Sequence, residues 1–188
     1  MSVVINHDIS LMVYHLRTPK IDLKKFAQSV WNCVIRSKTP FRCTYYGSNF
    51  TMNMFTHSDI IFCKVPIENF LSEVADVLNM DTSLFSYKLK NIVCKFRTNM
   101  EYLNLNDLFE RNLQQTQFRN GRHINFRMRD DIWKNDFQPQ RFPALIVGPF
   151  TDKKRIVLEI FASGVINCTG LINMSEIQRV HNFLSALI

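Results

Sequence analysis

The stretch "RFPALIVGPFTDKKRIVLEIFASGVINCTG", Arg141 to Gly170, decides how this chain is read. It has the form strand, turn, strand, tight turn, strand. Within it Ile156, Leu158 and Ile160 alternate with Arg155, Val157, Glu159 and Phe161. Successive side chains of a strand point to opposite faces of a sheet, so the isoleucines and leucine form one apolar face and Phe161 stands on the other. Phe142, near the end of the neighbouring strand, follows the same logic. Two large aromatics there face outward from a core made by their neighbours.

The same alternation recurs upstream. In "NIVCKFR" Ile92, Cys94 and Phe96 oppose Asn91, Val93, Lys95 and Arg97, and in "LMVYHLR" Met12, Tyr14 and Leu16 oppose Leu11, Val13, His15 and Arg17. Lys95, Arg97, His15 and Arg17 thereby bring positive charge to the second face. Helical periodicity marks 66–79, "PIENFLSEVADVLN", with Ile67, Phe70, Leu71, Val74, Val77 and Leu78 on one stripe and Pro66 in the first turn. It marks 173–188 as well, with Ile177, Val180, Leu184 and Ile188, and shorter helices are expected at 22–34 and 105–113.

Laid against each other, the halves run in one order: strand, helix, irregular strand, two strands joined by a turn, a last strand ending near Cys63 or Cys168, then a long helix. The chain is expected to hold two repeats, 1–84 and 85–188. The second is longer, and its surplus falls at 118–131, "FRNGRHINFRMRDD". That segment reads either as a solvated loop or as a basic hairpin turning at Asn120-Gly121 and carrying Arg119, Arg122, Arg127 and Arg129. The expected fold class is α+β: about ten strands in one antiparallel sheet, with helices on one face and the other face free.

At these residues the chain resembles the TATA-box-binding proteins. "FPALIV" followed by "RIVLEIFASGVINCTG" is similar to that family's second-repeat signature, F-P-G-L-I, then R-I-V-L-x-I-F-x-S-G and a T-G near the strand end. "YKLKNIVCKF" resembles the strand that opens the repeat, and "IDLKKFA" matches the first repeat more loosely. The resemblance spans about Asp8 to Ile188, with its specificity in the second half. It implies a saddle-shaped sheet whose concave face enters the DNA minor groove, where phenylalanines wedge between base steps, the established binding mode of that family. Carried over residue by residue, the wedges fall on Phe142 and Phe161 in the second repeat and on Phe41 and Phe55 in the first. Asn91, Val93 and Thr169 match groove-lining positions of the second repeat, and Val13 and Ile61 those of the first. Asn167, Lys95, Arg97 and Arg155 complete the expected DNA-contacting set.

The departures are specific. Leu11 stands where the family's first repeat has its central asparagine, and Lys64-Val65 replaces a T-G pair. Val165 and Gly148 stand where the family has a lysine and an arginine that contact phosphate. Glu159 replaces an apolar groove-filling residue, and a carboxylate there would lose its water against an anionic groove without a partner. Asn167 also replaces an apolar residue, although an amide can hydrogen-bond base edges. "FQPQRF" lacks the acidic turn through which the family contacts transcription factor IIB.

Composition agrees with a folded basic protein. The 188 residues are 46% hydrophobic and 21% charged, enough for a sizeable core, and carry a net charge of +7. That balance suits a polyanionic partner. The N-terminal "MSVVINHDIS" lacks the pattern of a signal peptide, and no apolar run approaches the roughly 18 residues that span a bilayer. Five cysteines form no C-x-x-C pair, several of them in apolar strand-like runs, which suits a reducing compartment and free thiols. The five histidines show no metal-ligand spacing, and no phosphate-binding glycine loop or nucleophile motif is recognisable. The chain is therefore expected to be no enzyme and to need no cofactor, small-molecule substrate or membrane.

Two function classes follow. One is a divergent transcription factor that binds AT-rich duplex DNA and works with transcription factors or polymerase subunits in the nucleus, or at the site of viral transcription if its drifted composition marks a viral lineage. The other is a degenerate saddle that no longer bends DNA and binds protein partners within a transcription or nucleic-acid complex.

Overall fold

The computed structural model describes residues 3–38, 40–55, 59–113, 126–128, 131–149 and 156–188. Among the described residues eleven strands belong to one sheet, and the chain divides into two compact units, Leu11–Ile92 and Met1–Ser10 with Val93–Ile188. The unit boundaries fall inside the two longest strands, β1 (Ile5–Arg17) and β6 (Ser86–Thr98). The sequence repeats follow chain order instead, so the two divisions are different.

In the Leu11–Ile92 unit the strands are β1, β2 (Cys33–Lys38), β3 (Phe41–Tyr46), β4 (Phe50–Met54) and β5 (Asp59–Cys63), ordered β2-β3-β4-β5-β1. All pairings are antiparallel: Tyr14 faces Ile61, Ile61 faces Met52, and Met52 faces Tyr45. Residues directly opposite share a face, so these four, with Met12, Leu16, Cys43, Phe50, Met54 and Cys63, make one buried layer. Helices α1 (Leu23–Ser29) and α2 (Leu71–Leu78) are the elements that cover it. The Phe26 ring lies edge-on to Tyr45 at 6.5 Å, and Phe50 stacks on Phe70 at 4.8 Å.

The helices are shorter than their periodicity predicts, for local reasons. Asp22 caps α1 by accepting from the backbone N–H groups of Lys24 and Lys25, and the helix stops before Val30 because Trp31 and Asn32 turn the chain into β2. Asn32 takes a left-handed φ of 61° there. The expected 66–79 helix begins as a separate 3-10 turn at Ile67–Asn69 and ends at Asn79, whose φ of 51° closes the last turn.

The second unit orders its strands β6-β11-β10-β9-β8-β7. These are β7 (Phe126–Met128), β8 (Asp131–Asp136), β9 (Ala144–Pro149), β10 (Val157–Phe161) and β11 (Val165–Leu171), with α3 (Leu105–Leu113) and α4 (Met174–Leu187). Leu158 pairs with Val147 and Cys168, and Ile160 with Leu145 and Ile166, and all six side chains are fully buried. Ile177, Val180, Phe183 and Leu184 of α4 supply the apolar stripe that faces this layer, with Asn173 capping the helix through Glu176 N–H. Within the insert the described residues are β7 and Asp131, and β7 pairs antiparallel with β8, Met128 opposite Asp131. Asn120-Gly121 and three of the four arginines assigned to this insert, Arg119, Arg122 and Arg129, lie outside the described residues, as does Arg155.

Gly164 in the β10–β11 turn has a φ of 74°, and a Cβ there would collide with Thr98 Oγ1 and the Met100 carbonyl. The S-G of the signature is thus a backbone requirement. Burial also sets the thiol chemistry: Cys63 and Cys94 are pushed up to about 11 and Cys43 to about 12, each chiefly by loss of water.

Asp59 is the polar exception in the first unit's buried layer, in register with Leu16 and Met54 and 2% exposed. Burial raises its pKa from the ordinary 3.8 to about 6, although Thr18 Oγ1 donates to it at 3.2 Å and the Phe55 backbone also bonds it. Its folded form therefore holds a proton that the unfolded form releases. Stability from this group is highest below about pH 4, falls as pH rises to about 6, and is level above.

Two measurements test this packing. Leu158→Ala is expected to lower unfolding free energy by about 2–5 kcal/mol and Val157→Ala, on the opposite face, by less than about 1 kcal/mol, in urea denaturation; equal losses would contradict the assigned faces. Asp59→Asn keeps the acceptor for Thr18 and is expected to stabilise the fold at pH 7.5 by on the order of 1–3 kcal/mol while leaving it unchanged near pH 4. Thermal melts from pH 4 to 8 check this, and a parallel pH profile for both proteins would refute it.

Candidate nucleic-acid interface

Each unit has a second sheet face that its helices do not cover. In the Val93–Ile188 unit it carries Val93, Lys95 and Arg97 of β6, Ile146 and Gly148 of β9, Val157, Glu159 and Phe161 of β10, and Val165, Asn167 and Thr169 of β11. All are half-buried except Arg97, which is exposed. The expected residues Val93, Lys95, Arg97, Phe161, Asn167 and Thr169 are therefore brought together on one surface.

Phe142 joins them. A tight turn holds it, with the N–H groups of Arg141 and Phe142 both donating to the Gln138 carbonyl, at 2.8 and 3.0 Å. Its ring meets Phe161 edge-on at a centroid distance of 6.0 Å and stays 38% exposed. Ala144 lies opposite Phe161 across β9–β10 and is itself buried. An exposed phenylalanine ring packed against a second, half-buried one on an uncovered sheet face brings apolar area to water.

Glu159 differs from its expectation. It faces Asn167 across β10–β11, and Asn167 Nδ2 donates to Glu159 Oε2 at 3.2 Å, so the carboxylate does have a partner. The two polar replacements form one cross-strand pair.

In the Leu11–Ile92 unit the uncovered face holds Val13, His15 and Arg17 of β1, with Asn91 of β6 at the matching parity. Thr51 and Asn53 of β4 share it, and Phe55, one step beyond the strand, is half-buried at the same parity. Two expectations need correction. Ile61 pairs with Tyr14 and Met52 and is fully buried, so it lies on the helix side; Ile60 and Phe62 take the uncovered positions. Phe41 shares parity with the buried Cys43 and Tyr45, and it lines a hollow with Ile21 and Leu23 at the start of α1.

The cause of the second correction is a slip in correspondence. Thr44 faces Asn53 in the first unit as Ile146 faces Glu159 in the second. Four residues back from each stand Pro40 and Phe142. The motif-based match therefore set Phe41 one residue away from the true counterpart of Phe142, and a one-residue slip reverses the face of a strand side chain.

Sequence reasoning missed a polar network on this same face. Arg36 sits at an irregularity where β2 shifts register between Ile35 and Ser37. Its guanidinium donates through Nε to Thr44 Oγ1 at 3.3 Å and through Nη2 to the Tyr46 hydroxyl, and Thr44 in turn donates to Asn53 Oδ1 at 2.8 Å. The only trace in the sequence was a short run of Arg, Thr and Tyr without clean alternation.

No curated protein matches the sequence. Among solved structures, Methanococcus jannaschii TBP is similar at a TM-score of 0.67 and 17% identity, covering 97% of each chain, which shows the fold. A heterotetrameric sarcosine oxidase from Corynebacterium sp. U-96 aligns at a TM-score of only 0.34 and 8% identity over 98% of this chain and 83% of that one, too weak to carry an argument. Residues 86–188 match the family model described as transcription factor TFIID, or TATA-binding protein. With more than half of the chain in that match and the fold shared along its length, this protein belongs to the TATA-binding protein family.

Proposed function

We propose that this chain is a transcription factor that binds AT-rich duplex DNA in the minor groove through the uncovered sheet face, using Phe142 and Phe161 as its wedge. The observation that carries the proposal is the edge-to-face pair of these two rings, 6.0 Å apart, with Phe142 exposed and Phe161 half-buried, beside half-buried small and apolar residues. Aromatic edges that are not needed for the core can enter a base step, and the apolar surface buried there offsets the cost of unstacking. Lys95 and Arg97, on the same face, supply charge toward phosphates. The role is one of binding, with no catalysis, in the nucleus or at a viral transcription site, and with transcription factors or polymerase subunits as further partners.

The wedging is unequal between the repeats. Phe142 has an aromatic partner in Phe161, whereas Phe55 has no Phe41 beside it on the uncovered face. Kinking is therefore centred on the second repeat.

A second reading is favoured by the Glu159–Asn167 pair, which puts a hydrogen-bonded carboxylate at the centre of the same face. In that reading the face holds a protein partner inside a transcription complex and DNA is not bent.

A titration at fixed salt on AT-rich and GC-rich duplexes, with a fluorescence readout of bending, separates the two. Joint replacement Phe142→Ala and Phe161→Ala is expected to remove both the AT preference and the bend, while Glu159→Leu strengthens AT-rich binding by about tenfold, one buried charge being worth at least about 1.4 kcal/mol. Equal weak affinity of the native protein for both duplexes, without bending, supports the scaffold reading instead.

A further inference from the structure

Resting on the DNA-binding reading, the geometry points to a second site, separate from the aromatic pair: a grip for the sugar–phosphate backbone of DNA, built by Arg36 and Arg42 on the uncovered face of the first repeat. Both arginines line a hollow of about 380 Å³ that also includes Thr44, Tyr46, Asn53 and Phe55, and among the described residues no carboxylate lines it.

Arg36 is held in place before any ligand arrives. Thr44 Oγ1 accepts its Nε, the Tyr46 hydroxyl accepts Nη2, and the guanidinium lies 5.9 Å from the Tyr46 ring centroid. Thr44 is itself fixed by Asn53 and is 5% exposed. The fork is thus oriented with one edge committed to the protein, and its remaining N–H donors are available to the hollow. Guanidinium matches phosphate in shape and charge, and a pre-oriented one loses less entropy on binding than a free side chain. Arg42, exposed on the neighbouring strand, adds a second charge to the same hollow. Phe55 at its rim offers an apolar surface to the sugar.

The fold does not need these residues. Corresponding positions in the second repeat, counted from the Thr44–Asn53 and Ile146–Glu159 pairs, are Ala144 for Arg42, Ile146 for Thr44 and Gly148 for Tyr46. The same sheet is built there with apolar or absent side chains. A register shift in β2 delivers Arg36 to the uncovered face, and such irregularities commonly re-aim a side chain next to a binding site. The first repeat, having turned Phe41 toward α1, holds phosphate where the second repeat inserts rings.

The test is a salt titration of the native protein and of Arg42→Gln, Arg36→Gln and Tyr46→Phe on AT-rich and GC-rich duplexes, with poly-glutamate of matched charge as competitor. Arg42→Gln and Arg36→Gln are each expected to weaken binding several-fold, by the same factor on both duplexes. Each should make the plot of log affinity against log salt shallower by about 1. Tyr46→Phe keeps the charge but loosens the fork, and is expected to lower affinity with the slope unchanged. Unchanged salt slopes for both arginine variants, in a native protein that still bends AT-rich DNA, overturn the phosphate site and leave the wedge standing. Uniform losses in a protein that neither prefers AT nor bends DNA leave the site standing and overturn the wedge. Displacement of DNA by poly-glutamate at equal charge concentration assigns the hollow to an acidic protein segment and overturns the phosphate claim. Arg42→Gln is solvent-exposed and keeps the readout available should Arg36→Gln fail to fold.

Discussion

Burial of every second side chain under the helices is the condition from which the rest of each unit follows. Leu158, Ile160, Ile166 and Cys168 are fully buried, as are Met52, Met54 and Ile61 in the other unit. Because the strand period is two, hiding these residues obliges their neighbours to stand on the opposite face, whatever their chemistry. The uncovered surface is therefore the complement of the core. Its composition can drift while the fold persists, as 17% identity beside a TM-score of 0.67 illustrates.

That drift has gone in different directions in the two repeats. The second keeps an aromatic pair and a row of small residues, interrupted by the Glu159–Asn167 pair. The first carries Arg36, Arg42, Thr44 and Tyr46, the last three where the second has Ala144, Ile146 and Gly148, and all but Arg42 are joined in a hydrogen-bonded network. The Glu159–Asn167 pair is internally satisfied, which is what allows polar groups to persist on half-buried positions. A carboxylate and an amide introduced together cost less than either alone, since each supplies the other's missing partner.

Much of this was legible in the chain itself. Alternation in "RIVLEIF", "NIVCKFR" and "LMVYHLR" assigned faces that the structure reproduces for the described residues, helical periodicity located α4 within 173–188, and the shorter helix expected at 105–113 is α3. The F-P and S-G motifs pointed to Phe142, Phe161 and Gly164, each with a physical reason for its place. Ends of elements were less legible. The expected 22–34 helix stops at Ser29 because a left-handed Asn32 starts the next strand, a choice that depends on where β3 waits to pair.

Which residues can share a face depends on the local period of the chain, so the order of amino acids alone settled it. Register between strands, and the contacts across them, came only with folding. Phe41 and Ile61 were placed on the wrong face because the correspondence between repeats was taken from motifs, whereas the sheet sets it through paired residues such as Thr44–Asn53 and Tyr14–Ile61. The Glu159–Asn167 bond and the Arg36 network likewise join residues on different strands. Such contacts have no signature in a one-dimensional period, since they arise only when the backbone ladder brings distant residues opposite each other.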